Sequence, residues 1–286
     1  MRKESIKHIA AVSAFLAFIL LFSMTCLADT PEEDALTFEI KLLLDSERTI
    51  GEDHLLSERI REQFKTEQDY ATFRVMYLET PDGAYLNEGW INRIRVKEGK
   101  NGFKITYKKR YSVQGEDIEA AVSDAAADNF TLSDPTFDAE IDWGYSKMTL
   151  SFSCDVGITT EEPPDLKTLE RNNAMEMVDE NMPPREKDWL RSGWGSEVMK
   201  SVQVAGPVQF DRYSGELNES EIRVEVWQIP VGDEIQDIVE LSVKCDNLED
   251  ARQIRETLID TLDRMNILIH SDSLKTQMVM DGLFHN

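Results

Sequence analysis

Hydrophobic and polar residues alternate over long stretches of this chain. In residues 90–97, Arg93, Arg95 and Lys97 fall on one side of an extended chain and apolar residues fall on the other. Residues 103–111 repeat the alternation, again with basic residues on the polar side. A period of two is typical of β-strands with one buried face, so the pattern predicts two adjacent strands with a cationic side.

Other segments predict a mixed set of strands and helices. Alternation also predicts strands over residues 36–44, 73–78, 136–143, 147–155, 202–210, 221–229 and 238–244. Apolar residues at helical spacing predict helices over residues 52–68, 116–128, 166–181, 247–265 and 273–284. Turn-separated strands with helices between them indicate an α+β fold with a closed or nearly closed antiparallel sheet. Residues 159–195 are expected to be a helical insertion or, alternatively, a surface loop with one helix.

The polar side of these strands carries ordered charges. Cations dominate the strands at 90–111, whereas Asp138, Glu140 and Asp142 alternate along the first arm of the predicted hairpin. One interpretation is a solvated outer face with charges paired across strands. The other is the lining of a barrel lumen, where water, a metal or a ligand must satisfy the charges. A lumen with both signs suits a metal-bound polyphosphate, because cations bind phosphate oxygens and carboxylates hold the metal.

The N-terminus has the pattern of a targeting segment. Three basic residues precede an apolar run over residues 9–22, and residues 26–28 have the small-x-small form of a cleavage site. We therefore expect a signal peptide over residues 1–28 and an exported domain, secreted or otherwise extracytoplasmic, over residues 29–286. An uncleaved membrane anchor and lipidation at Cys26 are the open alternatives.

The chain is strongly acidic, with a formal net charge of -24 over 286 residues. The first 28 residues carry +2, so the remainder carries -26. Such a surface repels nucleic acid and anionic lipid, so we expect neither as a partner and expect membrane contact only through an uncleaved leader. Cys154 and Cys245 both lie on apolar sides of alternating segments, which leaves a disulfide and two buried thiols equally open.

Four ordered segments resemble the CYTH superfamily, the triphosphate tunnel metalloenzymes. The family pattern Glu-x-Glu-x-Lys appears here as TFEIK at 37–41, and the pattern Tyr-x-Asp-Thr-Pro with a following Arg-x-Arg appears as YLETP at 77–81 with RIR at 93–95. The pattern Leu-Thr-Leu-Lys appears as ITYK at 105–108, and the late Glu-Leu-Glu before a long helix appears as VELSV at 239–243. The resemblance covers nearly all of residues 29–286. It implies an eight-stranded antiparallel barrel with inserted and flanking helices around a charged tunnel.

The resemblance also implies the residues of the site. Carried over by position, the phosphate ligands are Lys41, Arg93, Arg95, Lys108 and Arg212, and the ligands of Mg²⁺ or Mn²⁺ are Glu39, Glu140, Glu225 and Glu240. Arg212, Glu140 and Glu225 rest on strand order alone. Members of the family hydrolyse triphosphate, nucleoside triphosphates or thiamine triphosphate, or cyclise ATP, so a metal-dependent triphosphatase is one expectation.

Two departures from the family pattern reduce the acidic half of the site. Thr37 and Ser242 stand where the family has glutamate, which removes up to two carboxylates from the metal site. The cationic half is better retained, so we expect an exported domain that binds a triphosphate or polyphosphate-type anion. Hydrolysis then depends on whether the other carboxylates suffice. The alternative is a catalytically inactive anion-binding or protein-interaction module on the same barrel.

Overall fold

The computed structural model describes residues 36–66, 69–231, 234–272 and 279–280 of the chain. The predicted leader over residues 1–28 and most of the predicted terminal helix over residues 273–284 lie outside these ranges. Within the described ranges, no helix combines the length and the hydropathy that crossing a bilayer requires.

Nine strands form the centre of the described structure, and helices occupy the connections between them. The strands are β1 (Thr37–Leu44), β2 (Ala71–Glu79), β3 (Trp90–Lys97), β4 (Phe103–Val113), β5 (Asp138–Trp143), β6 (Met148–Ile158), β7 (Gln203–Leu217), β8 (Ser220–Val231) and β9 (Glu234–Cys245). The helices are α1 (Ser46–Thr49), α2 (Glu58–Gln63), α3 (Ala84–Asn87), α4 (Ile118–Ala127), α5 (Arg171–Glu180), α6 (Pro184–Lys187), α7 (Trp194–Met199) and α8 (Leu248–Arg264).

The strands close into a barrel in the order β1-β5-β6-β4-β3-β2-β7-β8-β9. Neighbouring strands are antiparallel except β1 and β5, which pair in parallel. The expectation of eight antiparallel strands is therefore wrong in both number and direction. The two errors have one cause, because strand direction can alternate all the way round a closed ring only when the number of strands is even. With nine strands, at least one pair must be parallel.

Most of the hydrophobic core lies between the outer face of the barrel and the helices. Ile40, Leu42, Ile94 and Ile105 are fully buried and alternate with polar residues of the same strands. They belong to one cluster with residues of α4, α5 and α8, including Leu258. The apolar stripe of each strand thus points outward to a helix, which leaves the polar stripe to line the lumen.

A second, smaller hydrophobic cluster fills part of the lumen. Leu43, Val75, Phe210 and Trp227 belong to this cluster and also line the lumen. The rings of Phe73, Phe210 and Trp227 stack in series, with centroids 4.9 and 4.2 Å apart and interplanar angles of 7° and 12°. The polar part of the lumen is therefore bounded by a packed apolar region whose ring faces cover one another.

Two predicted helices differ from the observed ones. Of the predicted helix over residues 52–68, the described part 52–66 is helical only at Glu58–Gln63, because an isolated bridge between Ile50 and Leu56 closes a turn in which His54 has a φ of 59°. The segment 166–181 is divided into a 3-10 turn and α5, because the two residues between them have extended backbone.

Candidate anion-binding cavity

The lumen contains a cavity of 990 Å³ lined by alternate residues of the barrel strands. All nine residues that the sequence predicts for the site line this cavity. They are Glu39 and Lys41 of β1, Arg93 and Arg95 of β3, Lys108 of β4, Glu140 of β5, Arg212 of β7, Glu225 of β8 and Glu240 of β9. Of the two interpretations of the polar side, the structure adopts the lumen lining. The individual roles of these residues stay predictions.

The charge of the cavity differs from that of the whole chain. Ten basic and nine acidic side chains line it, whereas the chain carries a net charge of -24. The lining as a whole is therefore close to neutral, with one more basic than acidic group, whereas the protein is strongly acidic. A small anion that enters the cavity meets less repulsion there than a polyanion such as nucleic acid meets at the exterior.

Three carboxylates meet on one side of the cavity. Oxygens of Glu39, Glu140 and Asp142 all lie within 4.8 Å of one another. The parallel pairing places Glu39 of β1 beside Asp142 of β5, and Thr37 beside Glu140. Strand β5 therefore supplies two carboxylates next to the position where Thr37 replaces the expected glutamate. We call Glu39, Glu140 and Asp142 the acid cluster.

Three lysines neutralise the acid cluster. Lys41 contacts both Glu39, at 2.7 Å, and Asp142, and Lys108 contacts Asp142 at 2.7 Å. Lys244 of β9 donates to Glu140 of β5 across the intervening strand β1. Each carboxylate of the cluster thus has an ammonium partner, and the cluster and its lysines carry no net charge as a group.

The ionisation of the cluster follows from burial and from these pairs. Burial opposes the charge of Asp142, but Lys108, Lys41 and Arg110 outweigh it and hold the pKa well below its usual range. Burial also opposes the charge of Lys41, and Asp142 and Glu39 nevertheless raise its pKa well above normal. Both groups are therefore charged at neutral pH.

Lys108 behaves differently from Lys41. Burial lowers its pKa to about 8, and the charges of Lys41 and Arg110 add to this effect while Asp142 opposes it. Burial is the largest cause, and the carboxylate of Asp142 at 2.7 Å offsets only part of it. A second anion beside Lys108 would favour its charged form further.

Three arginines on the adjacent wall have no such partners. Arg93 and Arg95 of β3 and Arg110 of β4 line the cavity, and no carboxylate of the described ranges lies within 4.0 Å of their guanidinium groups. The Nε atoms of Arg93 and Arg110 are buried and find no hydrogen-bond acceptor in those ranges. Burial lowers the pKa of Arg95 to about 10, and the charges of Arg93 and Arg212 contribute. Clustered cations with unused donors are the arrangement that binds a phosphate.

The remaining predicted residues form a separate group. Arg212 donates to Glu225 Oε1 from Nε and Nη2 at 3.0 and 2.6 Å, and Trp227 Nε1 donates to Glu225 Oε2 at 2.9 Å. Glu240 lies directly opposite Glu225 on the next strand. Glu225 and Glu240 are thus not part of the acid cluster, although both line the same cavity.

The turn before the arginine strand is held by a buried carboxylate. Glu79, at the end of β2, accepts hydrogen bonds from the backbone N–H groups of Thr80, Tyr85 and Leu86 at 2.7, 3.0 and 2.7 Å. Burial raises the pKa of Glu79, and these hydrogen bonds oppose the rise. The acidic residue of the YLETP motif is therefore structural. It fixes the turn and α3, and so determines where the chain enters β3.

Several cavity residues were not among the predicted ligands. Asp142, Lys244 and Arg110 complete the charge pattern, and each lies on the polar side of its alternating segment. Strand alternation places them on the polar side, but only the pairing of strands distant in sequence shows which charges meet. Cys154 and Cys245 are both free thiols, so the question of a disulfide is answered.

The fold resembles several solved structures. A Hippeastrum protein, HpAC1, described as an adenylyl cyclase candidate with a dominant triphosphatase activity, matches with a TM-score of 0.54 and 12% identity over 86% of this chain and 95% of that chain. A Bacillus halodurans adenylate cyclase candidate matches with a TM-score of 0.48 and 14% identity over 84% and 95%, and the Pyrococcus horikoshii protein PH1819 with 0.42 and 13% over 85% and 98%. No family model and no curated protein matches the sequence. The closed barrel implied by the sequence resemblance is confirmed, and the chain shares its overall fold with the Hippeastrum protein.

The acid cluster has the donor chemistry of a divalent cation site. Hard cations such as Mg²⁺ and Mn²⁺ take carboxylate oxygens as ligands, and Glu39, Glu140 and Asp142 bring such oxygens within 4.8 Å of one another. The residues present therefore fit the cation that the resemblance implies, provided that Lys41 and Lys244 give up their contacts with these oxygens.

Proposed function

We propose that this chain binds a triphosphate or a related short polyphosphate in its barrel cavity. The observation that carries the proposal is the wall of Arg93, Arg95 and Arg110, whose guanidinium groups line the cavity without a carboxylate partner in the described ranges. Three half-buried, mutually repelling cations are costly unless an anion joins them. The triphosphatase activity described for the Hippeastrum protein supports triphosphate as the anion.

Lys108 connects the arginine wall with the acid cluster. Because the charges of both Arg110 and Asp142 act on its ammonium group, a linear anion that extends from the arginines toward the cluster would also meet Lys108. The cavity volume of 990 Å³ leaves space for such an anion together with water. Arginine supplies forked donors for phosphate oxygens, and lysine supplies a point charge that can adjust to them.

Triphosphate hydrolysis is the second candidate function, and the acid cluster is the observation that favours it. Glu39, Glu140 and Asp142 would hold a divalent cation, and when bound it would neutralise charge on the phosphate oxygens. Arg93, Arg95 and Arg110 would orient the anion and stabilise charge that develops on it. Absence of hydrolysis would leave an anion-binding module, which is the alternative expected from the losses at Thr37 and Ser242.

We further propose that the domain acts outside the cytoplasm, as the leader pattern over residues 1–28 suggests. Nucleoside triphosphates are scarce there, which favours an inorganic polyphosphate as the ligand. The affinities for these ligands must be compared directly. Triphosphate, ATP and phosphate should be tested side by side on a chain that comprises residues 29–286.

Thermal unfolding with and without triphosphate tests the binding. A ligand at about 100 times its Kd stabilises by about 2.7 kcal/mol, which corresponds to a rise in Tm of about 5–10 °C for a chain of this size. Arg93→Ala and Arg95→Ala should each remove most of the rise. Arg252→Ala, which removes an exposed arginine of α8, is the matched control and should leave it unchanged. An equal rise in all variants would place the anion elsewhere.

Phosphate release tests the hydrolysis. The protein is incubated with triphosphate and Mg²⁺ or Mn²⁺, and free phosphate is measured with wild type and with Asp142→Asn. Release by wild type that falls by at least about tenfold in the variant supports catalysis through the acid cluster. Binding without release supports the inactive module, and neither binding nor release would support a barrel that serves only as a scaffold.

A further inference from the structure

We propose that the anion binds without a divalent metal, and that its binding opens the acid cluster to the metal by drawing the lysines away. This inference rests on the proposed function, because it concerns the order in which the same cavity takes its two ligands. In the observed state Lys41, Lys108 and Lys244 occupy the carboxylate oxygens that a metal would need.

The contacts of the lysines are specific to the acid cluster. Lys41 Nζ bridges Glu39 and Asp142, so one ammonium group takes oxygens of two of the three carboxylates. Lys244 reaches across from β9 to Glu140. A cation bound to the same oxygens must displace these donors, and a displaced ammonium group in a partly dry cavity then needs another acceptor.

The balance of charge shows why a metal alone is disfavoured. Three carboxylates are matched by three lysines, and Arg110 adds a further positive charge that acts on Asp142. A divalent cation would bring two more positive charges to this region and no negative charge. A polyphosphate brings several negative charges, so it reverses the imbalance and provides acceptors for the lysines that the metal displaces.

The lysines can move from the carboxylates to the anion, whereas the arginines have no carboxylate contact to break. The side chains of Lys41 and Lys244 are 26% and 53% exposed, and each ends a flexible four-carbon stem. Both line the cavity that also contains the arginine wall. Arg93 and Arg110 have buried Nε atoms and no carboxylate partner among the described residues, so they can bind the anion without first breaking an ion pair. The anion can therefore bind when no metal is present, whereas the metal can bind the acid cluster only after the lysines have left its carboxylates.

The first experiment uses the wild-type protein, residues 29–286, and measures Tm with triphosphate in the presence of EDTA and in the presence of Mn²⁺. We expect stabilisation in both conditions. Stabilisation only with Mn²⁺ would overturn this inference and leave the proposed function standing. No stabilisation in either condition would overturn both. The two failures are thus distinguishable without any activity measurement.

The second experiment measures Mn²⁺ binding in the absence of anion, by calorimetry or by the electron paramagnetic resonance signal of free Mn²⁺. Lys41→Met and Lys244→Met remove a competing ammonium group and keep the apolar stem. We expect each variant to bind Mn²⁺ about 10- to 100-fold more tightly than wild type.

Lys104→Met is the matched control. It removes one positive charge from the same cavity, but Lys104 pairs with Asp155 rather than with the acid cluster. We expect it to change the Mn²⁺ affinity by less than about threefold, because exposed charges outside the cluster are screened. An equal increase in Mn²⁺ affinity in all three variants would show a general effect of charge and would overturn the proposal that the lysines compete with the metal. Wild type that binds Mn²⁺ as tightly as Lys244→Met would do the same.

Discussion

Raising the pH from 6 to 9 is expected to destabilise this protein through one buried carboxyl group. Glu186 of α6 is fully buried against the outer side of β3, where its Oε1 accepts a hydrogen bond from Asn92 Nδ2 at 2.7 Å. Its Oε2 and the Oδ1 of Asn92 both find no partner in the described ranges. Burial raises the pKa of Glu186 to about 8, the Asn92 hydrogen bond opposes this, and Glu79 adds to it. A proton on Oε2 would convert it from an acceptor into a donor.

The sign of the effect follows from the two protonation states. The folded protein keeps the proton of Glu186 up to about pH 8, whereas an unfolded chain releases it near its ordinary value of 4.5. The contribution to stability is therefore fully present below pH 4.5 and is lost as the pH rises through 8. The full shift corresponds to about 5 kcal/mol, and the part between pH 6 and pH 9 to about 2.5 kcal/mol. The Tm of wild type should therefore fall by about 5–10 °C more than that of Glu186→Gln over that range.

Urea unfolding at pH 6 and pH 9 measures this contribution when wild type is compared with Glu186→Gln. Glutamine keeps the shape and the oxygen that accepts from Asn92, and it remains neutral at both pH values. Lys108 works in the opposite direction, because its pKa is lowered to about 8 and the unfolded state keeps its proton to higher pH. That effect is common to both proteins and cancels in the difference. A wild-type loss that exceeds the variant's by less than about 0.5 kcal/mol would refute the assignment of Glu186 as a neutral acid.

Further predictions concern the turn, the lumen and the thiols. Glu79→Ala leaves three backbone N–H groups without their acceptor, so it should lower the free energy of unfolding by about 2–4 kcal/mol in urea titration, and Glu79→Gln should restore part of the loss. Phe210→Ala opens a hole in the ring stack and should lower it by about 3–5 kcal/mol, whereas Leu190→Ala, at an exposed position, should change it by less than about 0.5 kcal/mol. Because Cys154 and Cys245 are free thiols, a reductant should shift the Tm of residues 29–286 by less than about 1 °C, and a larger fall would indicate a bridge.

The sequence predicted the parts of the fold that depend on local periodicity. The alternation at residues 90–97 and 103–111 identified β3 and β4, and the apolar face of residues 247–265 identified α8. The number of strands and the parallel β1–β5 pair were missed, because pairing between distant strands leaves no local pattern. The predicted helix over residues 52–68 begins too early, because the apolar spacing at Leu55 and Leu56 resembles a helix although His54 has a positive φ.

The candidate site divides in the same way. Arg93, Arg95, Lys108 and Glu39 could be identified from motifs and strand faces, and all of them line the cavity. The grouping of the carboxylates could not be predicted, because Glu39 and Asp142 are about a hundred residues apart in the chain and meet only through the β1–β5 register. The pairing of Lys244 with Glu140 depends on the same closure of the barrel.

The location of the main core outside the barrel has a consequence for how this protein can change. Residues such as Ile40 and Leu258 hold the sheet to its helices, and neither of them lines the cavity. Substitutions among the lining residues therefore alter ligand chemistry while the framework persists. Threonine and serine at positions 37 and 242 illustrate this freedom, since the barrel closes around both. The charged side chains of the lumen can therefore be replaced without loss of the fold, and replacing a few of them can give the same barrel a new ligand specificity.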